Sequence, residues 1–214
     1  MGVKVYGSTK STNVPRVLVC LEEVGAEYEM VPVDYDTGEL KSPAHLARNP
    51  FGQIPAFQDD DLVLFESRAI SRYILRKYKS DLLREDNLKE AALVNVWVDV
   101  EYGQYNGLAG AITYNVIVKP MLGQAIDQQV VDANLEKLKK VLEVYEARLL
   151  QCKYLAGDFI SFADLSHFPS TYYLMSTQYK SVLDSYPHVK AWWEAIMARP
   201  SVKKIAEIMY KREL

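Results

Sequence analysis

The spacing of apolar residues changes near residue 80, and that change restricts the fold more than any single motif does. Before it, short runs alternate between a strand-like and a helix-like period; after it, the pattern is helical throughout. Val3 to Tyr6 is a brief β-type run, and Val14, Val17, Leu18 and Leu21 then recur at helical spacing as far as Gly25, a natural C-terminal stop. Tyr28 to Val33 predicts a second strand. Pro32 cannot donate to a ladder, so this strand belongs at a sheet edge. Ser42-Pro43 predicts a helix start, and the run from Asn49 to Pro55 is a loop dense in breakers. Ala56 to Gln58 and Leu62 to Phe65 flank Asp59-Asp60-Asp61 as a tight hairpin, after which Ile70, Tyr73 and Ile74 carry an amphipathic helix. The order is therefore βαβ followed by αββα.

Beyond this, Lys79 to Asn87 is polar and charged and predicts a linker. Leu88, Ala92, Val96 and Val100 open a first long helix, and Leu135, Leu138, Leu142, Tyr145 and Leu149 form a regular stripe on the next. Val189, Trp192, Trp193 and Ile196 mark a later helix that Arg199-Pro200 ends, its tryptophans expected in the core. The expected division is an α/β domain over residues 1–79, a linker over 80–90 and an all-α domain over 91–214. Within the last, Ser161 followed three residues on by Asp164 is a short variant of the capping box, with a role expected in folding.

Composition narrows the class of function. A length of 214 residues allows one to two domains at roughly 150 residues each, with a sizeable core. With 49% hydrophobic and 25% charged residues the chain reads as soluble and globular. A net charge of -3 supplies no basic field for nucleic acid. No apolar run reaches the roughly 18 residues of a membrane helix, and nothing resembles a signal peptide, so a cytosolic chain is expected. Cys20 and Cys152 form no CxxC, and His45, His167 and His188 lack ligand spacing, so neither dithiol chemistry nor a metal site is expected.

The residues that suit chemistry lie before the period change. Ser11-Thr12-Asn13-Val14-Pro15 places hydroxyls at a helix start, with Pro15 where its missing N–H does no harm. Ile54-Pro55 follows Gln53 at the foot of a strand, a turn in which a cis bond can be retained. Glu66 and Ser67 end a strand and begin a helix, so an amide and a hydroxyl face an anion while a carboxylate faces a cation, a pairing suited to an amino-acid zwitterion. Each feature alone also has an ordinary use in a cap or a turn.

Together they resemble one known arrangement. The run from Ser11 to Arg16, the string from Arg48 to Phe57 and the string from Leu64 to Ile70 are similar to the glutathione-binding, thioredoxin-like domain of the cytosolic glutathione S-transferases, and most of all to the plant phi class. Gly157 to Asp164 and Tyr186-Pro187-His188-Val189 resemble that family's helical domain, so the resemblance covers essentially the whole chain. It implies an enzyme of detoxification that joins reduced glutathione, its co-substrate, to hydrophobic electrophiles, with hydroperoxide reduction as a further activity and no other cofactor. Ser11 would be the catalytic hydroxyl, donating to the glutathione sulfur and favouring its thiolate. Thr12 would stand beside it. Ile54, next to a cis Pro55, would pair its backbone with the cysteinyl unit like an added strand, and Gln53 would assist. Glu66 and Ser67 would take the γ-glutamyl amino and carboxylate groups, and Lys41 the glycyl carboxylate. Arg68 either orients Glu66 or forms a surface ion pair without a role.

One position departs from the phi pattern, which commonly has His before the lysine where this chain has Leu40. The lost donor is expected to weaken the glycyl end by about 0.5 to 1.5 kcal/mol, one hydrogen bond. The electrophile site is expected to be apolar and to draw on Thr12, Tyr35, Tyr114, Ile117 and Val118, the last three of which equally suit plain packing. The resemblance also implies a homodimer, with Phe51 and the helix starting near Leu88 as contact elements, although Phe51 suits packing within its own subunit as well. Two other classes stand beside the enzyme: a non-catalytic carrier, or ligandin, of aromatic metabolites, and an interaction domain of a larger assembly. Ser11, Glu66 and Ser67 argue for catalysis.

Overall fold

The computed structural model describes residues 2–34 and 37–210. By its contacts the chain divides into two units, one running to Leu83 and taken up again from Pro200, the other spanning Arg84–Arg199.

In the first unit β1 (Val3–Gly7), α1 (Asn13–Glu23), β2 (Tyr28–Pro32), α2 (Pro43–Leu46), β3 (Ala56–Asp59), β4 (Leu62–Phe65) and α3 (Ser67–Lys77) follow in the expected order. They build the thioredoxin-like βαβαββα arrangement: the sheet order is β2-β1-β3-β4, with β1 parallel to β2 and antiparallel to β3, and β3 antiparallel to β4. β2 is an edge strand, as Pro32 requires. Asp59 pairs with Leu62, so the hairpin turns on Asp60 and Asp61 alone. Val14, Val17, Leu18 and Leu21 of α1 and Ile70 and Ile74 of α3 are buried. Cys20 lies in the same core, where burial pushes its thiol up to about 12.

α10 (Pro200–Tyr210) also belongs to this unit and packs on α1. Lys204 Nζ lies 2.7 Å from Glu22 Oε2, and Ser201 Oγ donates to Glu23. The expected all-α domain over 91–214 includes this helix, whereas its contacts group it with the first unit. Pro200 closes one helix and occupies the start of another, where its fixed φ fits and its missing N–H is not needed.

The second unit is helical. A single helical run passes through α4 (Leu88–Val100), α5 (Gly107–Thr113) and α6 (Lys119–Met121), with π-helical turns at Glu101–Asn106 and Tyr114–Val118 between them. α4 starts inside the segment expected to be linker, capped by Asn87 Oδ1, which accepts from the Lys89 and Glu90 amides. Its core face carries Val94, Trp97 and Val98, whereas Leu88, Ala92 and Val96 are exposed, so the stripe that announces this helix points outward. α7 (Gln128–Leu149) buries Leu138, Leu142, Tyr145 and Leu149 as its spacing predicts.

α8 (Phe162–Met175) and α9 (Pro187–Met197) are each started by a carboxylate. Asp164, fully buried, accepts from the Ser161 amide at 2.8 Å and the Ser161 hydroxyl at 2.9 Å, and its other oxygen from the Leu155 amide and the Trp192 indole at 3.0 and 2.9 Å. Burial raises its carboxyl in spite of those donors. Its place is thus in the fold of this unit. Trp192 and Trp193 are core residues, and His167 is too, with Nε2 2.9 Å from the Tyr145 hydroxyl and Nδ1 2.7 Å from the Ala163 carbonyl.

Glu146, reaching from α7, accepts from the His188 and Val189 amides at 3.0 Å each and lies 2.6 Å from His188 Nδ1. Burial works to raise this carboxyl, but the His188 ring and the two amides prevail and hold it below the usual glutamate range. A carboxylate with a depressed folded-state value stabilises fully above its ordinary value near 4.3 and loses that contribution as pH falls through the lower one. Glu146→Gln should therefore be less stable than wild type near neutrality, and the gap should close over the window from neutrality to below the ordinary glutamate value near 4.3. Urea unfolding at both ends of that window measures it; an unchanged gap contradicts the assignment.

Candidate active site in the first unit

The end of β1 is the hub of the site. Gly7 has φ 155°, and a Cβ there would lie 2.6 Å from Val14 Cγ2 and 3.3 Å from Ile54 Cβ. A glycine thus lets the first turn of α1 and the Ile54 loop close on the strand end together.

Ser11 caps α1. Its Oγ accepts from the Val14 amide at 2.9 Å and the Asn13 amide at 3.2 Å, while Thr12 makes no side-chain cap bond. Both lone pairs of the oxygen are then used, so the hydroxyl proton is the group left to donate. It sits at the positive end of an 11-residue helix, where negative charge is favoured. Pro15 is in the first turn, where its missing N–H costs nothing. Ser11 and Thr12 are half-buried.

A second helix start lies beside the first. Arg16 is fully buried, and its Nη1 donates to Asn13 Oδ1 at 2.7 Å and to Ser67 Oγ at 3.0 Å, tying α1 to the first residue of α3. Glu66, just before α3, has φ 70° and ψ 105°, a conformation a side chain rarely adopts and one that costs on the order of 1–3 kcal/mol. Its carboxylate makes no cap bond to α3, unlike Ser42, Asn87 and Asp127 at α2, α4 and α7. The start of α3 is therefore left to an outside anion, with exposed Glu66 available for an outside cation. Arg68 is half-buried in the first turn of α3.

The third side is the loop from α2 to β3. The Ile54–Pro55 bond is cis, as its position suggests. Ile54 and Pro55 are buried, Gln53 is exposed, and no backbone hydrogen bond of the described turns and loops engages Ile54. Lys41, exposed, donates from Nζ to the Phe51 carbonyl at 3.0 Å, beside half-buried Leu40. Gly52, at φ 62°, admits no side chain there, since a Cβ would lie 2.7 Å from the Leu40 carbonyl oxygen.

The fold thus gathers Ser11, Thr12, Ile54, Glu66 and Ser67 about two helix starts and one strand end. Tyr35 lies outside the described residues. Tyr114, Ile117 and Val118 belong to the second unit, on its second π-helical turn, with Tyr114 exposed and the other two half-buried. Sequence spacing gives no warning of those turns, and it does not assign Arg16, His45 or Asn49 any part in holding the site.

Two family models match: glutathione S-transferase, N-terminal domain, over residues 1–76, and glutathione S-transferase, C-terminal domain, over residues 109–200. The chain is 67% identical over 211 residues to a probable glutathione S-transferase GSTF1 of Oryza sativa subsp. japonica, covering 97% of this chain and 96% of that protein. It is 60% identical over 207 residues to glutathione S-transferase 1 of Zea mays, covering 97% of each. The solved structure of glutathione S-transferase I from maize in complex with an atrazine glutathione conjugate superposes with a TM-score of 0.96 at 58% identity, over 99% of this chain and all of that one. On these grounds, and on the βαβαββα unit that carries Ser11 and the cis Pro55, the chain belongs to the glutathione S-transferase family of enzymes and, within it, to the plant phi class.

Proposed function

We propose that Ser11 holds the sulfur of reduced glutathione as a thiolate and that this thiolate attacks hydrophobic electrophiles. The observation that carries the reading is the Ser11 hydroxyl itself, which accepts two α1 amides and so keeps its proton for an outside acceptor at a helix N-terminus. A thiol near 8.5 in water falls by one or more units in such surroundings, each unit being about 1.4 kcal/mol. The thiol proton passes to solvent, the sulfur forms the new bond to carbon, and the leaving group departs with its electron pair; no general base is needed. With a hydroperoxide the same thiolate attacks oxygen, an alcohol leaves, and a second glutathione converts the sulfenic acid to the disulfide and water.

The rest of the tripeptide is assigned by chemistry. The open main chain of Ile54, beside Pro55, pairs with the cysteinyl unit, and exposed Gln53 assists. The Ser67 amide and hydroxyl take the γ-glutamyl carboxylate and Glu66 its ammonium, with Arg68 alongside. Lys41, next to Leu40, meets the glycyl carboxylate. Thr12, Tyr114, Ile117 and Val118 are proposed to contact the electrophile, as is Tyr35 on its sequence position. The exposure of Phe51 at 63%, Leu88 at 85% and Val96 at 52% supports a homodimer that covers them, and light scattering returning the monomer mass would refute it. Two free cysteines accord with work in the reducing cytosol.

The direct test is conjugation of glutathione to a chromogenic aryl halide, and turnover of a hydroperoxide, by wild type and Ser11→Ala with glutathione affinity followed separately. Wild type should turn over, and the variant should bind glutathione within a few-fold yet lose about 10²-fold or more in rate. Binding without turnover in wild type would instead make the protein a carrier.

A further inference from the structure

His45 is 1% exposed, and among the described residues its ring makes a single hydrogen bond, from Nε2 to the Gln53 carbonyl oxygen at 3.0 Å. A carbonyl only accepts, so the proton is on Nε2. Nδ1 is then a buried acceptor with no partner among the described residues. Such a group costs about 1–3 kcal/mol, and a leucine or phenylalanine would fill the same space without it. Packing therefore does not account for an imidazole at this position; the bond from Nε2 does.

The same carbonyl receives a second buried donor. Asn49, 3% exposed, donates from Nδ2 to the Gln53 oxygen at 2.8 Å and accepts from the Phe51 amide on Oδ1 at 3.1 Å. α2 supplies His45 at a fixed height, since Ser42 Oγ accepts the His45 amide at 3.2 Å. Gln53 C=O and Ile54 N–H are the two ends of one peptide unit, and in a trans peptide they point in opposite directions. That bond is trans, the cis bond being the following one. Two buried donors that draw the carbonyl inward thus turn the Ile54 N–H the other way, and this N–H has no backbone partner among the described turns and loops.

We propose that His45, seconded by Asn49, is a positioning residue that aims the Ile54 N–H at the ligand. The inference rests on the proposed glutathione reading, in which that N–H pairs with the cysteinyl unit. His45 touches no ligand atom itself. Its effect is to keep a donor oriented before binding, so that the ligand need not order the loop.

Three variants test it: His45→Phe, which fills the space without a donor; His45→Gln, whose side-chain nitrogen falls near the place of Nε2; and His45→Asn, whose amide is too short to reach. The readouts are the dissociation constant of glutathione by calorimetry, the KM for each substrate, and the Ile54 amide resonance with and without glutathione. Phe and Asn should weaken glutathione binding about three- to tenfold, one hydrogen bond's worth, and shrink the ligand-induced shift of the Ile54 amide. Gln should return both to within about twofold, and the KM for the electrophile should stay within the same limit in all three. Wild-type affinity in both Phe and Asn, or Gln as weak as Phe, overturns the proposal. Should Phe fail to fold, the contrast between Gln and Asn decides in the same way. Failure of the underlying reading looks different: wild type would then bind no glutathione and its Ile54 amide would not move on addition.

Discussion

The site depends on a guanidinium that never meets water. Arg16 lies inside the first unit, one nitrogen shared between Asn13 at the start of α1 and Ser67 at the start of α3, its own carbonyl accepting from Ser71 Oγ at 3.4 Å. A buried cation is costly, by several kcal/mol, unless hydrogen bonds surround it, so losing either partner is strongly resisted. What this fixes is the relation of two helix N-termini that are 51 residues apart in the chain. Both present positive ends, and Ser11 and Ser67 are the polar side chains at their mouths.

Most helix starts in this protein are closed from within. Ser42, Asn87 and Asp127 accept amides of α2, α4 and α7, Glu146 does the same for α9, and at α8 Asp164 accepts the amide of the Ser161 cap. Two starts differ: α1, whose capping hydroxyl still has a proton to give, and α3, whose preceding residue turns its carboxylate elsewhere in a strained conformation. Strain and open donors coincide where the proposed tripeptide would bring a thiolate, a carboxylate and an ammonium. In the second unit the same chemistry has gone into rigidity.

How much of this was legible follows from what leaves a local trace. Strands, the Asp60-Asp61 hairpin, the edge position of Pro32 and the stripe of α7 are encoded in neighbouring residues, and the period of the apolar pattern reports them. So are Ser11, Ile54-Pro55, Glu66 and Ser67, because caps and turns are local events. Pro200 was ambiguous, since one proline both ends α9 and opens α10, and only packing on α1 reveals the second role. The stripe of Leu88, Ala92 and Val96 has a helical period but faces outward, because period alone does not say which side is covered. Arg16, His45 and Asn49 were silent for a related reason: Arg16 is defined by Ser67, 51 residues away, and His45 and Asn49 by the Gln53 carbonyl, and a carbonyl carries no sequence signature.

The central claim is that the Ser11 hydroxyl at the α1 terminus favours a thiolate. The most direct measurement is the pKa of the glutathione thiol in the enzyme complex, read from thiolate absorbance against pH. It should lie one or more units below the roughly 8.5 of a free thiol in wild type and return toward that value in Ser11→Ala. A bound thiol that titrates in wild type as it does in water, with glutathione shown to be bound, would contradict the account.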